Sequence, residues 1–449
     1  MTSRIRVFLV FLIFLASAVG YLDRTNITVS GVSIMSELKI DRQELGFIFS
    51  ALLLGYAAFQ IPAGWLAGRF GPRLVLSVGI LWWCVLTIAI TFVAPGTSHI
   101  FWWILAIRFA LGLGEAVMYP SASQFISSWI PSQERGKANG LVFAGVGAGA
   151  GLTPPLVLWL AGNYGWRASF WFSAVVGLVA ATIWWISSRD TPDQHPRVSK
   201  AELAHIRQGL PDKGTEARSP TPWRSIFRNR DLWIISFAYF GFGYVAFIFL
   251  NWFFIYLAEA RGLSLQTSAS YAMIPPIAMT VCCLAGGIIS DALTVTKSRY
   301  VGRCVFAAGA FFLTAAFLIV GAHAADPFIA TCALGGGAGA LYLSQSAFWA
   351  VISELGGRYA GIVAGFMNML CQVAGAITAS LTPAIAKAYG WEASFYVAAF
   401  FAIVSAIAWL FANPLNRINA QTRAVSFGLA HLSHSEMFPE HEQFCVPKR

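Results

Sequence analysis

Charge is what this chain has least of. Lys, Arg, Asp and Glu make up 11% of its 449 residues, against 57% hydrophobic. A soluble domain is about a quarter charged. A soluble globular reading is excluded, because this much apolar surface has nowhere to go except lipid. Histidine is scarce too, and His431, His434 and His441 are scattered along a polar tail. The cysteines, at 84, 282, 283, 304, 332, 371 and 445, show no Cys-x-x-Cys or metal-like spacing. Six lie in or beside apolar runs and read as small hydrophobes. Cys282-Cys283, adjacent on a helix, is no structural disulfide. No metal set and no nucleophile–base pair is legible, so neither a cofactor nor an enzyme is expected. The glycine run Gly145–Gly151 (GVGAGAG) lacks the Lys-Ser/Thr and the preceding strand of a phosphate loop. Close helix packing through small residues explains it better.

What is present is apolar length. Twelve runs lie at about 7–32, 44–68, 74–95, 100–128, 138–162, 168–188, 231–258, 268–291, 301–322, 327–353, 360–388 and 392–412, each long enough to cross about 30 Å of hydrocarbon. The first, behind Arg4 and Arg6, resembles a signal peptide. It continues through Asp23 into a full span, and eleven more follow, so no cleavage is expected. The sequon Asn26-Ile-Thr28 falls inside that span and is discounted.

The formal charge of +10 is placed by topology rather than by a nucleic-acid partner. Arg4, Arg6, Arg69, Arg73, Arg135, Lys137, Lys297, Arg299, Arg303, Arg358, Arg417 and Arg423 fall at alternate ends of the spans. The opposite loops hold few basic residues. The positive-inside rule puts both termini in the cytoplasm, for a multi-pass protein of the plasma (inner) membrane.

Four segments are expected: a six-helix bundle over 1–188, a cytoplasmic linker over 189–230, a second bundle over 231–412, and a disordered cytoplasmic tail over 413–449. In the linker, Ser199-Lys-Ala-Glu202 opens a short helix as a capping box and Gly209 closes it. YGWRASFW at 164–171 returns as YGWEASFY at 389–396, each after a Leu-Thr-Pro. That repeat points to two pseudo-symmetric halves with a site between them. The fold class is all-α, with twelve transmembrane helices in two six-helix bundles.

A charge near the bilayer centre costs at least about 2.5–3.5 kcal/mol on insertion scales. Only Asp23, Arg24, Arg108 and Glu115 lie deep in spans. Asp291 and Glu354 lie near span ends. Arg108 and Glu115 are seven apart, two helical turns, on nearly one face. One reading is structural: two salt bridges between spans 1 and 4. A buried ion pair is a poor stabiliser, however, and intramembrane ionisable residues default to function. With both acids ionised the four charges sum to zero. Protonating Asp23 or Glu115 leaves the site positive and suited to a carboxylate on an arginine fork. Anion and proton binding are then linked, as a symporter requires. Tyr21, Tyr56 and Gln60 could complete one wall. Asn251, Ser346, Trp349, Asn368 and Gln372 could form the other.

YLDRTNI with RFALGLGEAVMYP, together with GYAAFQIPAGWLAGRFGPR, SSWIPSQERGKANG and YGWRASF, resembles the major facilitator superfamily, and within it the anion:cation symporter family. The resemblance covers nearly all twelve spans. It implies proton coupling at Asp23 and Glu115, substrate carboxylate binding at Arg24, and tuning of Glu115 by Arg108. It also implies that Tyr21, Tyr56, Ser346, Trp349 and Asn368 line a sugar-acid cavity. The helix 2–3 loop motif supplies Gly64, Arg69 and Arg73, but Gly68 stands where an Asp is usual. The second-half counterpart GGIISDAL keeps Asp291. The first loop is therefore expected to lack one charge interaction.

The function expected is proton-coupled symport of an organic anion by a monomer in a lipid bilayer, and the resemblance implies a sugar acid such as a hexonate or hexuronate. Aldarates, simpler organic or aromatic acids, inorganic phosphate, and sodium in place of protons stay open. The rivals are a non-transporting anion sensor and a drug or cation antiporter. Two arginines in the cavity argue against a cationic cargo.

Overall fold

The computed structural model describes residues 4–131, 135–208, 223–356, 360–414 and 416. Gly209, Arg358, Arg417, Arg423 and nearly all of the 413–449 tail lie outside them. The described chain forms twelve helices long and apolar enough to cross a membrane. They are α1 (Ile5–Leu38), α2 (Arg42–Phe70), α3 (Pro72–Ile90), α4 (Ile100–Ile126), α5 (Ala138–Tyr164) and α6 (Trp166–Ser187), then α7 (Arg230–Asn251), α8 (Leu265–Thr296), α9 (Val301–His323), α10 (Pro327–Gly356), α11 (Ile362–Tyr389) and α12 (Trp391–Leu410). No strand occurs among the described residues.

Sharp turns keep neighbouring helices antiparallel. Gly71, Gly165 and Gly390 have φ of +86°, +81° and +86° and join α2 to α3, α5 to α6 and α11 to α12. Only glycine takes this backbone without strain. The last two are the glycines of the YGW repeat, so the repeated sequence builds a repeated corner. Side chains close four other starts: Asp41 and Glu44 form a capping box on α2, and Asn229, Ser264 and Asp326 cap α7, α8 and α10.

In the first half α1 packs on α5 and α6, α2 on α4, and α3 on α6. In the second, α7 packs on α11 and α12, α8 on α10, and α9 on α10 and α12. The halves meet along two seams, α2 against α11 and α5 against α8. The glycine run on α5 makes the second seam. A Cβ at Gly145 or Gly149 would strike the α1 backbone at Phe14 or Ala18, and one at Gly147 would strike Pro276 and Thr280 of α8. Glycines two apart thus face opposite neighbours, and α5 is squeezed between them.

Cross-half contacts concentrate at the end of the bundle where α1 runs into α2. Gln43 donates to the Ser380 carbonyl at 2.9 Å and Ser50 to the Ala376 carbonyl at 2.7 Å. Arg42 pairs with Glu259, and Thr28 donates to the Leu250 carbonyl at 3.3 Å. Nearer the middle, Asn368 donates to Gln60 Oε1 at 3.2 Å.

Several helices are broken where the sequence reads as continuous. α4 turns at Ala116–Val117 and α10 at Ser344. α7 ends at Asn251, short of the expected 258, and a wide π-type turn follows over Tyr256–Ala260. The linker helix Lys200–Gln208 packs onto the first half. Ser199 Oγ accepts the Glu202 N–H at 3.2 Å, as the expected capping box requires. The Glu202 carboxylate also reaches the first turn of α1, accepting the N–H groups of Ile5 at 3.4 Å and Arg6 at 3.1 Å.

Candidate functional site

Glycines draw three helices around the charged residues. A Cβ on Gly55 of α2 would strike Phe109 of α4, and one on Gly112 would strike Leu52 of α2. Gly114 lies against Trp82 of α3. The run LGLGE therefore turns one glycine to α2 and the next to α3. Glu115 is delivered at the end of that close-packed stretch, beside the break at 116–117.

Asp23, Arg108 and Glu115 are each about 2% exposed. Arg24 Nε forms an ion pair with Glu115 Oε2 across α1 and α4. The Arg24 guanidinium lies 4.5 Å from the Tyr56 ring centre and 5.0 Å from that of Tyr21, a cation–π sandwich that holds it in place. Asp23 Oδ2 accepts from Thr87 Oγ1 of α3 at 2.8 Å. The charges of Glu115, Arg108 and Arg24 all bear on Asp23.

This pairing differs from the expected one. The resemblance gave Glu115 to Arg108, on the same helix, and left Arg24 for substrate. In the structure Glu115 is held by Arg24, and Arg108 makes no ion pair among the described residues. Spacing along one helix says which side chains share a face. It does not say what sits opposite.

The set is incompletely satisfied. Asp23 Oδ1, Glu115 Oε1, Arg24 Nη1 and Arg108 Nε and Nη1 are buried with no hydrogen-bond partner. Buried polar atoms are nearly always paired, so such a concentration asks for a ligand or for protons. Arg24 and Arg108 open onto a narrow cleft between the halves, with Tyr21, Thr25 and, from α7, Asn251. Its apolar wall is Phe49, Leu52 and Leu53 of α2 with Phe247 and Leu250 of α7. A second recess beside it is lined by Tyr21, Arg24, Glu115 and Tyr119.

The other expected site residues are spread out. Asn368 bonds to Gln60, whose Nε2 reaches the Ala116 carbonyl at 3.4 Å. Trp349 packs on Phe143 at 4.8 Å between ring centres, and Phe143 stacks on Tyr119 at 4.8 Å. Ser346 lies against Gly287 of α8 and is not part of the cleft lining. Thr87 and Tyr119 were not singled out from sequence. A threonine in a membrane helix usually bonds its own backbone and gives no signal.

The loop residues sit at the opposite end of the bundle. Arg73 donates twice to the Trp185 carbonyl, at 3.0 and 2.7 Å, and lies over the Trp185 ring. Arg69 lies over Trp65 and Phe70. A Cβ on Gly68 would meet open space, and one on Gly64 would just touch Pro120. Asp190, just past α6, accepts the Arg73 N–H at 2.9 Å, and its carboxylate packs against Gly71. An acid is present at the loop, from another part of the chain. In the second half Asp291 pairs with Arg303 at 2.8 Å.

Comparison with known proteins fits this architecture. Residues 13–379 match the model of the Major Facilitator Superfamily. The chain is 32% identical to the probable sulfoacetate transporter of Cupriavidus necator, over 90% of this chain and 92% of that one. It is 30% identical to the probable galactarate/D-glucarate transporter of Bacillus subtilis, over 93% and 94%. It is 27% identical to the hexuronate transporter of Bacillus subtilis, over 94% and 99%. A solved bacterial homologue of the human lysosomal transporter Spinster, inward-facing and occupied, superposes with a TM-score of 0.71 at 17% identity, over 92% of this chain and 97% of that one. These relatives are transporters, not enzymes, and the chain belongs to the Major Facilitator Superfamily.

Proposed function

We propose that the chain is a proton-coupled symporter of an organic anion, working by alternating access between its two halves. One observation carries the reading. In the cleft between the halves, Arg24 is held by the Glu115 carboxylate, beside a second arginine with unpartnered donors. An incoming carboxylate competes with Glu115 for Arg24. Protonating Glu115 weakens its hold and frees the guanidinium. Asp23 acts in the same sense on the field around Arg108. Proton and anion then favour each other's binding, and that mutual gain is the coupling.

The basic residues at alternate span ends support cytoplasmic termini in a plasma (inner) membrane. On that orientation the interlocked end, with Arg42, Gln43 and Glu259, faces outside, and the conformation is closed to it. The chain divides at 188, 230 and 412, and it works as a monomer. The substrate is an acid of the kind its relatives' names carry: sulfoacetate, galactarate, glucarate or a hexuronate.

The test is uptake by proteoliposomes under an inward proton gradient without sodium, with those acids as labelled substrates. Accumulation that a protonophore abolishes is expected. Uptake that needs sodium would reassign the coupling ion. Saturable binding without uptake would favour a sensor.

A further inference from the structure

We propose that the cleft selects short dianionic acids, with one anionic group on Arg24 and the second shared by Arg108 and Asn251. This rests on the organic-anion reading above and narrows it. The first support is the kind of group left unpaired. On the lining, the buried side-chain atoms without a partner are Arg24 Nη1, Arg108 Nε, Arg108 Nη1 and Asn251 Nδ2. All are N–H donors. They sit on two separate guanidinium groups and one amide, so they ask for acceptors at two places.

The second support is charge. Neutralising both Asp23 and Glu115 leaves two arginines, and a dianion returns the loaded site to zero. A net charge sealed in a low-dielectric interior is costly, so the neutral complex is the one that moves most easily. The groups facing these acids leave that sum unchanged. Asp23 faces Arg24 on α1, Cys84 and Thr87 on α3, and Arg108 and Glu115 on α4. Glu115 faces Asp23, Arg24 and Tyr21 on α1, Tyr56 on α2 and Arg108 on its own helix.

The third support is the wall. Phe49, Leu52, Leu53, Phe247 and Leu250 offer no side-chain partner to a hydroxyl. A chain of several hydroxylated carbons laid against them would bury unpaired polar groups. An acid of two to four carbons in all, with an anionic group at each end, would not. Asn251 then gains a defined role. It is the last residue of α7, where the helix breaks, and it brings the one polar side chain of the second half to this lining. A dianion on the two arginines is gripped from the other half through Asn251.

The experiment is proteoliposome uptake of labelled malonate, succinate, sulfoacetate, galactarate, glucuronate and butyrate under an inward proton gradient. Malonate, succinate or sulfoacetate is expected to exceed glucuronate, galactarate and butyrate at least about tenfold, the size of one hydrogen bond to a charged group. In Asn251→Leu, KM for that dianion is expected to rise by about the same factor. Asn251→Gln, which keeps the amide, should recover part of it. Gel filtration of both variants checks folding, and the wild-type panel decides the substrate class even if neither folds. Uptake of glucuronate or galactarate at or above that of the short dianions overturns the proposal and leaves proton-coupled anion transport standing. No pH-driven uptake of any acid overturns that reading, and this one with it.

Discussion

α1 and α4 carry Asp23, Arg24, Arg108 and Glu115 into the interior of the first half. Their counterparts α7 and α10 carry charge only near one end, at Arg230, Asp231 and Glu354, and otherwise offer Asn251, Ser346 and Trp349. The frames match, down to paired glycine corners and a break in both α4 and α10. The chemistry does not. This division suits alternating access. In the proposed cycle, a ligand held by charges on one half stays with that half, and the other half lets go by breaking neutral hydrogen bonds of about 1 kcal/mol each. Charges on both halves would put the cost of parting an ion pair into every opening.

The largest expected effects break that asymmetry at its source. Removing one partner of a buried ion pair costs about 3–5 kcal/mol, a factor of about a hundred or more. Arg24→Ala should therefore weaken carboxylate binding at least about a hundredfold, read by binding of the labelled acid. Asp23→Asn and Glu115→Gln should abolish pH-driven accumulation while sparing exchange of substrate for substrate. Asn368→Ala, on the neutral side, should cost about tenfold or less. If the Asn368 variant is as damaged as the Arg24 variant, the halves do not divide the work in this way.

A smaller effect is expected where the chain ties itself to each half. Glu202 is buried and holds the first turn of α1, while Asp231 accepts the Asn413 N–H at 2.8 Å and the Asn416 amide at 2.6 Å. An anion at a helix start meets free N–H groups and the positive end of the helix dipole. Glu202→Ala should lower stability by about 1–3 kcal/mol, seen as a lower melting midpoint in detergent. An unchanged midpoint would mean that the linker helix merely rests on α1.

The loops between α2 and α3 and between α8 and α9 differ in where their acid comes from. Asp190→Ala removes an acceptor from the start of α3 and should cost about 0.5–2 kcal/mol, as loss of a cap does. Asp291→Asn should cost less, since its side chain is 63% exposed. Gly68→Asp, which restores the usual residue, should change the transport rate little, because Asp190 already serves the loop. A large gain in rate would show that the substitute is inadequate.

These contrasts mark what could be read from residues alone. The spans and the four deep charges were legible because lipid makes both unmistakable: long apolar runs are needed, and charges inside them are costly. What faces what was not. Arg108 and Glu115 share a helix face, but the partner of Glu115 comes from α1. Asp190 reaches a loop 117 residues earlier, and no local pattern announces it. Ser346 lies against Gly287 of α8 and does not line the cleft. The breaks at Asn251 and Ser344 have no proline or glycine beside them, so they arise from packing; the one at Ala116–Val117 was legible in Pro120, whose missing N–H leaves the Ala116 carbonyl without its helical partner.

The smallest expected effect lies at the interlocked end, where the two halves do meet through charge. Arg42 pairs with Glu259 and lies over Trp391, yet their side chains are 38% and 29% exposed. A solvated pair contributes about 0–1 kcal/mol and is screened by salt. A latch of that strength can bias a closed state without locking it, as a gate that must open in every cycle requires. Glu259→Gln should raise the fraction of time this end is open no more than about fivefold. A thiol probe reacting with Cys introduced at Leu53, in an otherwise Cys-free protein, would measure it. High salt should raise labelling of the unmutated pair and leave the variant unmoved. A larger effect would put the grip between the halves in this pair, and the neutral contacts of Gln43 and Ser50 would then be secondary.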